Sequence, residues 1–268
     1  MTAEPDLRRY ADVLAWVDDL AERDADLVCC WIGGSAATGG YDEHSDLDIN
    51  VLAAPGTFAQ VFDDLVDSLV STFAPTSLWR LPDATYADGR QLFATFDDNP
   101  GALVGPTRLL DVVVYEATDE HRHVDVRRHG TPLVRFDPDG LIVLRHDDEE
   151  DLRRGAEETV SQIRQRRLVA EWLVARAIAR DHLPEGVSLY LRFALLPVIQ
   201  LLRARDCPER HDYMFRYLHA DLKPEDAARI DSLLPGVERL GELSDECFAW
   251  QDDLLDTDLR DRAGRAGT

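Results

Sequence analysis

Apolar residues follow two different spacings in the first half of the chain. Residues 5–24 have helical spacing, which predicts an amphipathic helix, and a second helix is predicted from Pro55 to just before Pro75. Short apolar runs bounded by Gly, Pro and Asp turns predict strands instead. The predicted strands are 27–32, 47–53, 77–81, 91–96, 108–115, 132–136 and 141–144.

The pattern changes near residue 145. Residues 147–181 keep helical spacing, and the acidic stretch 147–151 suits the positive N-terminal end of a helix. A further helix is predicted after Pro184, kinked or broken near Pro197. Shorter helices are predicted at 211–220, 224–234 and 237–255. We therefore expect an α+β fold: a mixed-sheet domain over 1–145, an all-helical domain over 146–256 and a polar tail over 257–268.

The strongest chemical pattern lies between Trp31 and Leu52. The turn Gly33-Gly34-Ser35 offers backbone N–H groups and a hydroxyl that suit a phosphate group. After a spacer comes Asp46-Leu47-Asp48, and alternation along a strand puts both carboxylates on one face. Neighbouring carboxylates repel each other unless a cation lies between them. A hard ion such as Mg²⁺, which accepts phosphate as a further ligand, meets this need.

A third carboxylate is expected at Asp111. This aspartate interrupts the apolar run 109–114, where burial is costly unless the carboxylate is paired or coordinated. If its strand lies beside the strand of Asp46 and Asp48, the three carboxylates converge. The alternative is an edge strand from which Asp111 simply faces solvent.

Charge and composition reduce the number of protein classes to which this chain can belong. The 52 acidic residues outnumber the 29 basic ones, giving a net charge of −23, which repels nucleic acids and attracts cationic substrates. Adaptation to salt or to a GC-rich genome is the alternative explanation. The four cysteines have no metal-type spacing, and no signal pattern or membrane-length apolar run is found, so we expect a cytoplasmic protein without a membrane partner.

These motifs resemble the signature of the DNA polymerase beta-like nucleotidyltransferase superfamily. The resemblance covers residues 27–53 and the strand around Asp111. An α/β half followed by a helical half is similar to the aminoglycoside nucleotidyltransferases, in which antibiotic resistance arises by adenylyl transfer. On this basis residues 1–145 are the nucleotidyltransferase domain, and 146–256 are a helical acceptor or lid domain.

The resemblance implies transfer of a nucleoside monophosphate from an NTP, with ATP the expected donor, to a hydroxyl of a small polar acceptor. Gly33, Gly34 and Ser35 would bind the nucleotide together with Asp46 and Asp48. These two carboxylates and Asp111 would hold two Mg²⁺ ions, and Asp111 can alternatively act as a base. A homodimer is conceivable, and no stable nucleic-acid partner is expected. The competing hypotheses are nucleotidylation of a protein or of an RNA end, and a non-catalytic nucleotide-binding partner protein.

Two other groups of residues have simpler interpretations. The basic cluster 164–167 could close over a triphosphate, but a solvated helix face paired with Glu157, Glu158 and Glu171 is favoured. The histidines show no metal-binding spacing, and the loop containing His121 and His123 is predicted to lie at the surface.

Overall fold

The computed structural model describes residues 5–96, 108–118 and 120–236. The chain forms two compact units, Met1–Asp147 and Asp148–Thr268. The first contains a mixed six-stranded sheet with helices, so the predicted α+β class is confirmed at this level. The division lies close to the boundary predicted at residue 145, while the roles of the two parts remain a prediction.

The first unit contains eight described strands and four described α-helices. The strands are β1 (Leu27–Ile32), β2 (Leu47–Ala53), β3 (Ser77–Arg80), β4 (Gly89–Thr95), β5 (Leu109–Glu116), β6 (His123–Asp125), β7 (Leu133–Phe136) and β8 (Val143–Arg145). The helices are α1 (Ala11–Arg23), α2 (Gly34–Thr38), α3 (Phe58–Phe73) and α4 (Val126–His129). The second predicted helix thus begins at Phe58 rather than at Pro55.

The large sheet has the order β3-β4-β5-β2-β1-β7, and β2 and β5 run parallel to each other. Alternate residues of these strands, among them Ile49 and Val112, are fully buried in a core that also contains Val17 of α1 and Leu65 of α3. Residues i and i+2 of a strand share a face, so the residues between the buried ones lie on the opposite face of the sheet. That face carries polar positions. Helices α1 and α3 pack on one face of the sheet, and the other face is therefore available for a functional site.

A smaller parallel pair, β6 and β8, is secured by Asp125. Its buried carboxylate caps α4 by accepting hydrogen bonds from the backbone N–H groups of Arg127 (2.7 Å) and Arg128 (3.2 Å). It also accepts one from Asp147 N–H. Burial alone would raise the pKa of Asp125, but these backbone hydrogen bonds outweigh it and lower the pKa below its ordinary value. One ionised side chain thus connects α4 to the segment after β8.

Replacing Asp125 by Ala is expected to lower the free energy of unfolding by about 3 kcal/mol, because buried N–H groups lose their acceptor. Since the pKa is lowered in the folded state, the wild-type carboxylate stabilises at pH values above its unfolded pKa. This stabilisation disappears as the pH falls through the folded pKa, so the two proteins should converge in acid. Denaturant unfolding at pH 7 and pH 3 measures this, with the exposed Asp139→Ala as control; a difference that is constant with pH contradicts the assignment.

The described part of the second unit is helical. Its helices are α5 (Glu149–Ala179), α6 (Leu183–Tyr190), α7 (Leu196–Asp206), α8 (Leu218–Asp221) and α9 (Pro224–Asp231). A π-helical turn, Leu191–Leu195, joins α6 to α7, so the helix predicted to be kinked or broken near Pro197 is irregular there but not broken. Proline lacks an N–H group and therefore cannot donate the usual helical hydrogen bond. A widened turn before the proline accommodates this loss without ending the helix. The predicted helix 237–255 and the tail lie outside the described residues.

The helix predicted over 211–220 is wrong except at its end. Met214 and Tyr217 have positive φ angles of 52° and 56°, which interrupt a right-handed helix. The fully buried Arg203 donates to the carbonyl of Met214 (3.1 Å) and to that of Arg216, and it pairs with Asp221 at 2.6 Å. The segment therefore wraps around a buried guanidinium, an arrangement that apolar spacing does not reveal.

Among the described residues, one helical stretch, Leu183–Asp206, is long and apolar enough to cross a membrane by length and hydropathy alone. Core helices of globular proteins pass the same test, so this is weak evidence for a membrane span.

Candidate active site

The turn between β1 and α2 packs directly against Asp48. Gly33 N–H donates to the carbonyl of Asp48 at 2.9 Å. Gly34 has a φ of +55°, and a Cβ atom built there would lie 1.7 Å from Asp48 Oδ2. Only glycine tolerates both the backbone conformation and the close approach. The predicted phosphate turn and the first carboxylate motif are therefore in contact.

Ser35 presents an unsatisfied hydroxyl at this turn. Its Oγ is buried and has no hydrogen-bond partner within the part of the chain that the structure describes. A buried hydroxyl in this state costs free energy, and native proteins usually satisfy such groups with protein, water or ligand atoms. An oxygen of a bound phosphate group would satisfy it.

The third predicted carboxylate lies beside the second. In the parallel pairing of β2 with β5, Asp48 is the register partner of Asp111. Both side chains are half-buried. Because β5 lies between β4 and β2, the alternative of an edge strand for Asp111 is wrong. The condition stated for convergence, that these two strands are neighbours, is thus met.

Gln91 of β4 holds Asp111 in place. Gln91 Nε2 donates to Asp111 Oδ1 at 2.6 Å, and Gln91 Oε1 accepts from the hydroxyl of Tyr86 at 3.0 Å. A carboxylate can only accept, so this amide orientation is the one that satisfies both partners. No sequence pattern marks Gln91 as a site residue, because a polar residue on the outer face of a strand is ordinary.

Asp46 immediately precedes β2, in a loop fastened by Arg9. The guanidinium of Arg9 donates to the backbone carbonyls of Asp42 (3.2 Å), Glu43 and Ser45. The neighbouring Tyr10 is fully buried, and its hydroxyl bonds the backbone of Leu109 at the start of β5. Sequence reasoning missed both residues, since nothing in the helical spacing distinguishes an arginine that fastens a distant loop.

The pKa of Tyr10 is raised to about 12, mainly by burial, and the negative charge of Asp46 contributes in the same direction. The Tyr10 hydroxyl therefore stays protonated at physiological pH. It can continue to donate to the carbonyl of Leu109 at 3.1 Å and so connect the Asp46 loop with the strand of Asp111.

Asp48 and Asp111 line a cavity of about 160 Å³ together with Asn50, Gln91 and Tyr115, among others, whereas Asp46 is not one of its described lining residues. Asn50 lies two residues after Asp48 on the same face of β2, and its Nδ2 is 2.8 Å from the position of a Cβ atom at Gly33. Polar groups from β2, β4 and β5 thus meet on the sheet face that the helices leave uncovered.

A second cavity, of about 240 Å³, shares Asn50 and Tyr115 with the first. We call it the histidine pocket, because His121, His123 and His129 line it together with Gly33 and Gly34 of the phosphate turn. The expectation that the loop of His121 and His123 lies at the surface is therefore wrong: both residues are half-buried. The packing of segment 120–132 on the sheet, invisible in local spacing, brings them there.

His121 is fixed within the histidine pocket. Its ring stacks on Tyr115 with centroids 4.2 Å apart and planes inclined by 12°. Its Nε2 lies 2.8 Å from Asp88 Oδ2. Burial raises the pKa of the Tyr115 phenol far above its ordinary value, so this ring is a neutral platform.

The carboxylate site fits a Mg²⁺ ion that is bound together with substrate phosphates. Among the described residues, no group of three or more His, Cys, Asp or Glu side chains is arranged to hold a metal ion. Mg²⁺ is commonly bound by one or two carboxylates, with substrate phosphates and water completing the coordination. Asp48 and Asp111, with the unsatisfied Ser35 hydroxyl nearby in the phosphate turn, fit a metal that arrives with a triphosphate rather than an all-protein cage.

The simpler interpretation of the basic cluster on α5 is confirmed only in part, because Glu171 pairs with the cluster while Glu157 pairs with Arg153 instead. Arg167 pairs with Glu171 at 2.7 Å, one helical turn away. The guanidinium of Arg166 lies over the ring of Phe193, 5.8 Å from its centroid. Both arginines line a mainly apolar cavity of about 470 Å³ within the second unit.

Comparison with known proteins adds no family to this description. No protein-family model matches the chain, and no curated protein matches it. The function of the protein is therefore inferred from the geometry of the site.

Proposed function

We propose that this protein is a Mg²⁺-dependent nucleotidyltransferase that moves a nucleoside monophosphate, with AMP the expected group, from an NTP to a hydroxyl of a small polar acceptor. The observation that carries the proposal is the juxtaposition of Asp48 with both Asp111 and Gly34. A phosphate turn in contact with a pair of neighbouring carboxylates is the arrangement that phosphoryl-transfer chemistry requires. The motif resemblance to the polymerase beta-like superfamily points to the same reaction.

In the proposed reaction an acceptor oxygen forms a bond to the α-phosphorus while the bond from that phosphorus to the bridging oxygen breaks. The electron pair leaves with pyrophosphate, and the hydroxyl proton passes to Asp111 or to water. Asp48 and Asp111, joined by Asp46 as the resemblance implies, would hold Mg²⁺, which neutralises phosphate charge when bound. Gly33, Gly34 and Ser35 bind phosphate oxygens.

The supporting residues keep the carboxylates in position. Gln91 orients Asp111 through its 2.6 Å hydrogen bond. Arg9 and Tyr10 fasten the loop that carries Asp46 and the start of the Asp111 strand. Because positioning and charge neutralisation supply most of the rate enhancement in phosphoryl transfer, such supports affect turnover directly.

We also propose that the helical second unit serves the acceptor. The net charge of −23 favours a cationic acceptor, such as an aminoglycoside-like amine, over a nucleic acid. Salt or genome adaptation explains the same charge, so acceptor choice needs an experiment. Nucleotidylation of a protein hydroxyl and non-catalytic nucleotide binding are the competing functions. The acidic surface speaks against an RNA end as the acceptor.

Pyrophosphate release separates these functions. Purified protein with Mg²⁺ and each NTP is assayed alone, with a panel of small polyhydroxy amines, and with a mixture of proteins. The proposal predicts release that depends on a small acceptor. Release accompanied by self-labelling or by labelling of an added protein favours protein nucleotidylation. NTP binding without release from any mixture contradicts catalysis.

Gln91→Leu is expected to reduce kcat about tenfold while the KM for NTP changes little, because Asp111 loses the donor that fixes its orientation. Steady-state kinetics measures both constants. The matched control is Gln60→Leu on α3, whose amide contacts only Asp64 at 2.9 Å among the described residues. Equal kcat values for the two variants would show that Gln91 has no positioning role.

A further inference from the structure

The cavity of about 470 Å³ in the second unit is an apolar groove between α5 and the helical stretch that leads from the π-helical turn into α7. Val174 and Ile178 line its α5 wall, and Phe193, Val198 and Leu201 line the other wall. We call it the α5–α7 groove. Ile178 is 60% exposed and Val198 is 41% exposed. Exposed apolar side chains gathered in one concave surface indicate a site that another apolar surface covers.

The last described residues of the chain lie beside the second wall of this groove. The hydroxyl of Tyr190 donates to the carbonyl of Leu233 at 2.7 Å, and Leu234 packs on the buried cluster that contains Leu195. Tyr190 lies three residues before Phe193, which lines the groove. A segment attached here has a local concentration on the order of 1 mM, which favours it over a separate partner molecule.

Residues 237–256, which lie outside the described residues, have the sequence pattern of an amphipathic helix. Leu240, Leu243, Cys247, Trp250 and Leu254 follow one another at alternating intervals of three and four residues, so helical geometry puts them on one side. We call them the apolar stripe. The same geometry puts the acidic residues of the segment on the opposite side: 238, 242, 245, 246, 252, 253 and 256.

The apolar stripe matches the groove in length. A helix from Leu240 to Leu254 rises about 21 Å, because each residue adds about 1.5 Å. The α5 residues that line the groove run from Ile163 to Ile178, about 22 Å along the helix axis. A single helix of this segment is therefore long enough to cover the groove.

Charge favours the same occupant. Arg166 and Arg167 line the groove, whereas segment 237–256 has seven acidic residues and one basic residue. The Nε atom of Arg166 is buried and has no hydrogen-bond partner within the part of the chain that the structure describes. Glu246 is the acidic residue closest to the apolar stripe around the helix, so its carboxylate is placed to accept from this arginine.

We infer that segment 237–256 forms a helix that binds in the α5–α7 groove, with the apolar stripe against Ile178, Val198 and Leu201 and the acidic side toward solvent. The inference concerns the second unit alone and does not depend on nucleotidyl transfer. It gives the exposed apolar residues of the groove a partner within the same chain. The acceptor of the proposed reaction is accordingly expected outside this groove.

The reactivity of the Cys247 thiol tests the inference in the whole chain of 268 residues. The other three cysteines, Cys29, Cys30 and Cys207, are buried in the described part of the protein. Release of the segment from the groove should therefore change the reaction rate of Cys247 alone. The rate of reaction with an aromatic disulfide reagent is measured, and peptide mass identifies the modified cysteine.

Ile178→Asp and Val198→Asp are each expected to raise the rate at Cys247 about tenfold over wild type, because a carboxylate in the groove opposes apolar contact. Leu168→Asp is the matched control, since Leu168 is 79% exposed on α5 and is not among the described lining residues of the groove. It should leave the rate unchanged. A rate at Cys207 that stays slow verifies that the second unit of each variant is folded.

The inference is overturned if Cys247 reacts as fast in wild type as in both groove variants. It is equally overturned if Leu168→Asp accelerates the reaction as much as Ile178→Asp does. Light scattering and dilution decide whether a second copy of the chain is the occupant instead. Protection of Cys247 that disappears on dilution, together with the mass of a dimer, would show that it is.

Discussion

Asp48→Asn is expected to lower the rate of nucleotidyl transfer about 1,000-fold, equivalent to about 4 kcal/mol of transition-state stabilisation. The substitution keeps the shape of the side chain and its place against Gly34, but removes the charge that neutralises phosphate-bound cations. The fold should not suffer. Asp48 faces Asp111 in register, so loss of one negative charge reduces repulsion, and the melting temperature in EDTA should stay equal or rise.

Transfer rate and melting temperature are measured on the same preparation. The control is Asp67→Asn, an exposed carboxylate on α3, which should change neither quantity. Addition of Mg²⁺ with a non-hydrolysable NTP should stabilise wild type and the control but not Asp48→Asn. An Asp48→Asn variant that retains more than a few per cent of wild-type transfer would falsify the assignment of the carboxylate.

Gly34→Ala is expected to produce the second-largest effect. The new Cβ would lie 1.7 Å from Asp48 Oδ2 in a backbone at φ +55°, so the carboxylate must move away from the phosphate turn. We expect a loss of about 1–3 kcal/mol in stability from backbone strain. Displacement of a catalytic group by about 1 Å costs about 100-fold in rate.

The variant Gly140→Ala separates the effect of backbone strain from the effect of displacing the Asp48 carboxylate. Gly140 has a similar φ of +65°, but nothing lies within 4 Å of a Cβ atom built there. Denaturant unfolding and transfer kinetics are compared for both variants. We expect Gly140→Ala to lose a comparable part of the backbone stability and no activity. If Gly34→Ala also keeps full activity, contact between the turn and Asp48 has no catalytic importance.

Local sequence patterns drew attention to residues that the structure brings together, Asp48, Asp111 and Gly34, and they did so for a physical reason. A lone aspartate in an apolar strand, such as Asp111, must be compensated, and the glycine pair before Ser35 allows a close approach that other residues forbid. These constraints are visible within a few residues. The parallel pairing of Asp48 with Asp111 then follows if the two strands are neighbours, as the structure confirms.

The surroundings of the site could not be predicted because they depend on tertiary packing. Gln91 reaches Asp111 only because β4 lies beside β5, and Arg9 reaches the carbonyl of Asp42 across 33 positions of sequence. The histidine pocket arises where segment 120–132 folds back on the phosphate turn, through the hydrogen bond from Thr131 N–H to the Ala37 carbonyl (3.0 Å). Single residues in such places follow no periodic pattern.

The helical half of the chain shows the same limit of prediction from local sequence patterns. Apolar spacing found the long helix α5, whose N-terminus is capped by Asp148 through a 2.8 Å hydrogen bond from Glu150 N–H. It failed over 211–220, where the buried guanidinium of Arg203 binds backbone carbonyls and replaces helical hydrogen bonding. A charged residue at a fully buried position is uncommon, and sequence spacing assigns it to the surface.

The most direct measurement of the central claim is the fate of labelled phosphorus. Wild-type protein is incubated with Mg²⁺, an acceptor from the active panel, and ATP labelled at either the α- or the γ-phosphate. Nucleotidyl transfer predicts α-label in the acceptor and γ-label in pyrophosphate, with both signals lost in Asp111→Asn. Label from the γ-phosphate in the acceptor, or equal α-labelling by Asp111→Asn, would contradict a nucleotidyltransferase site at Asp46, Asp48 and Asp111.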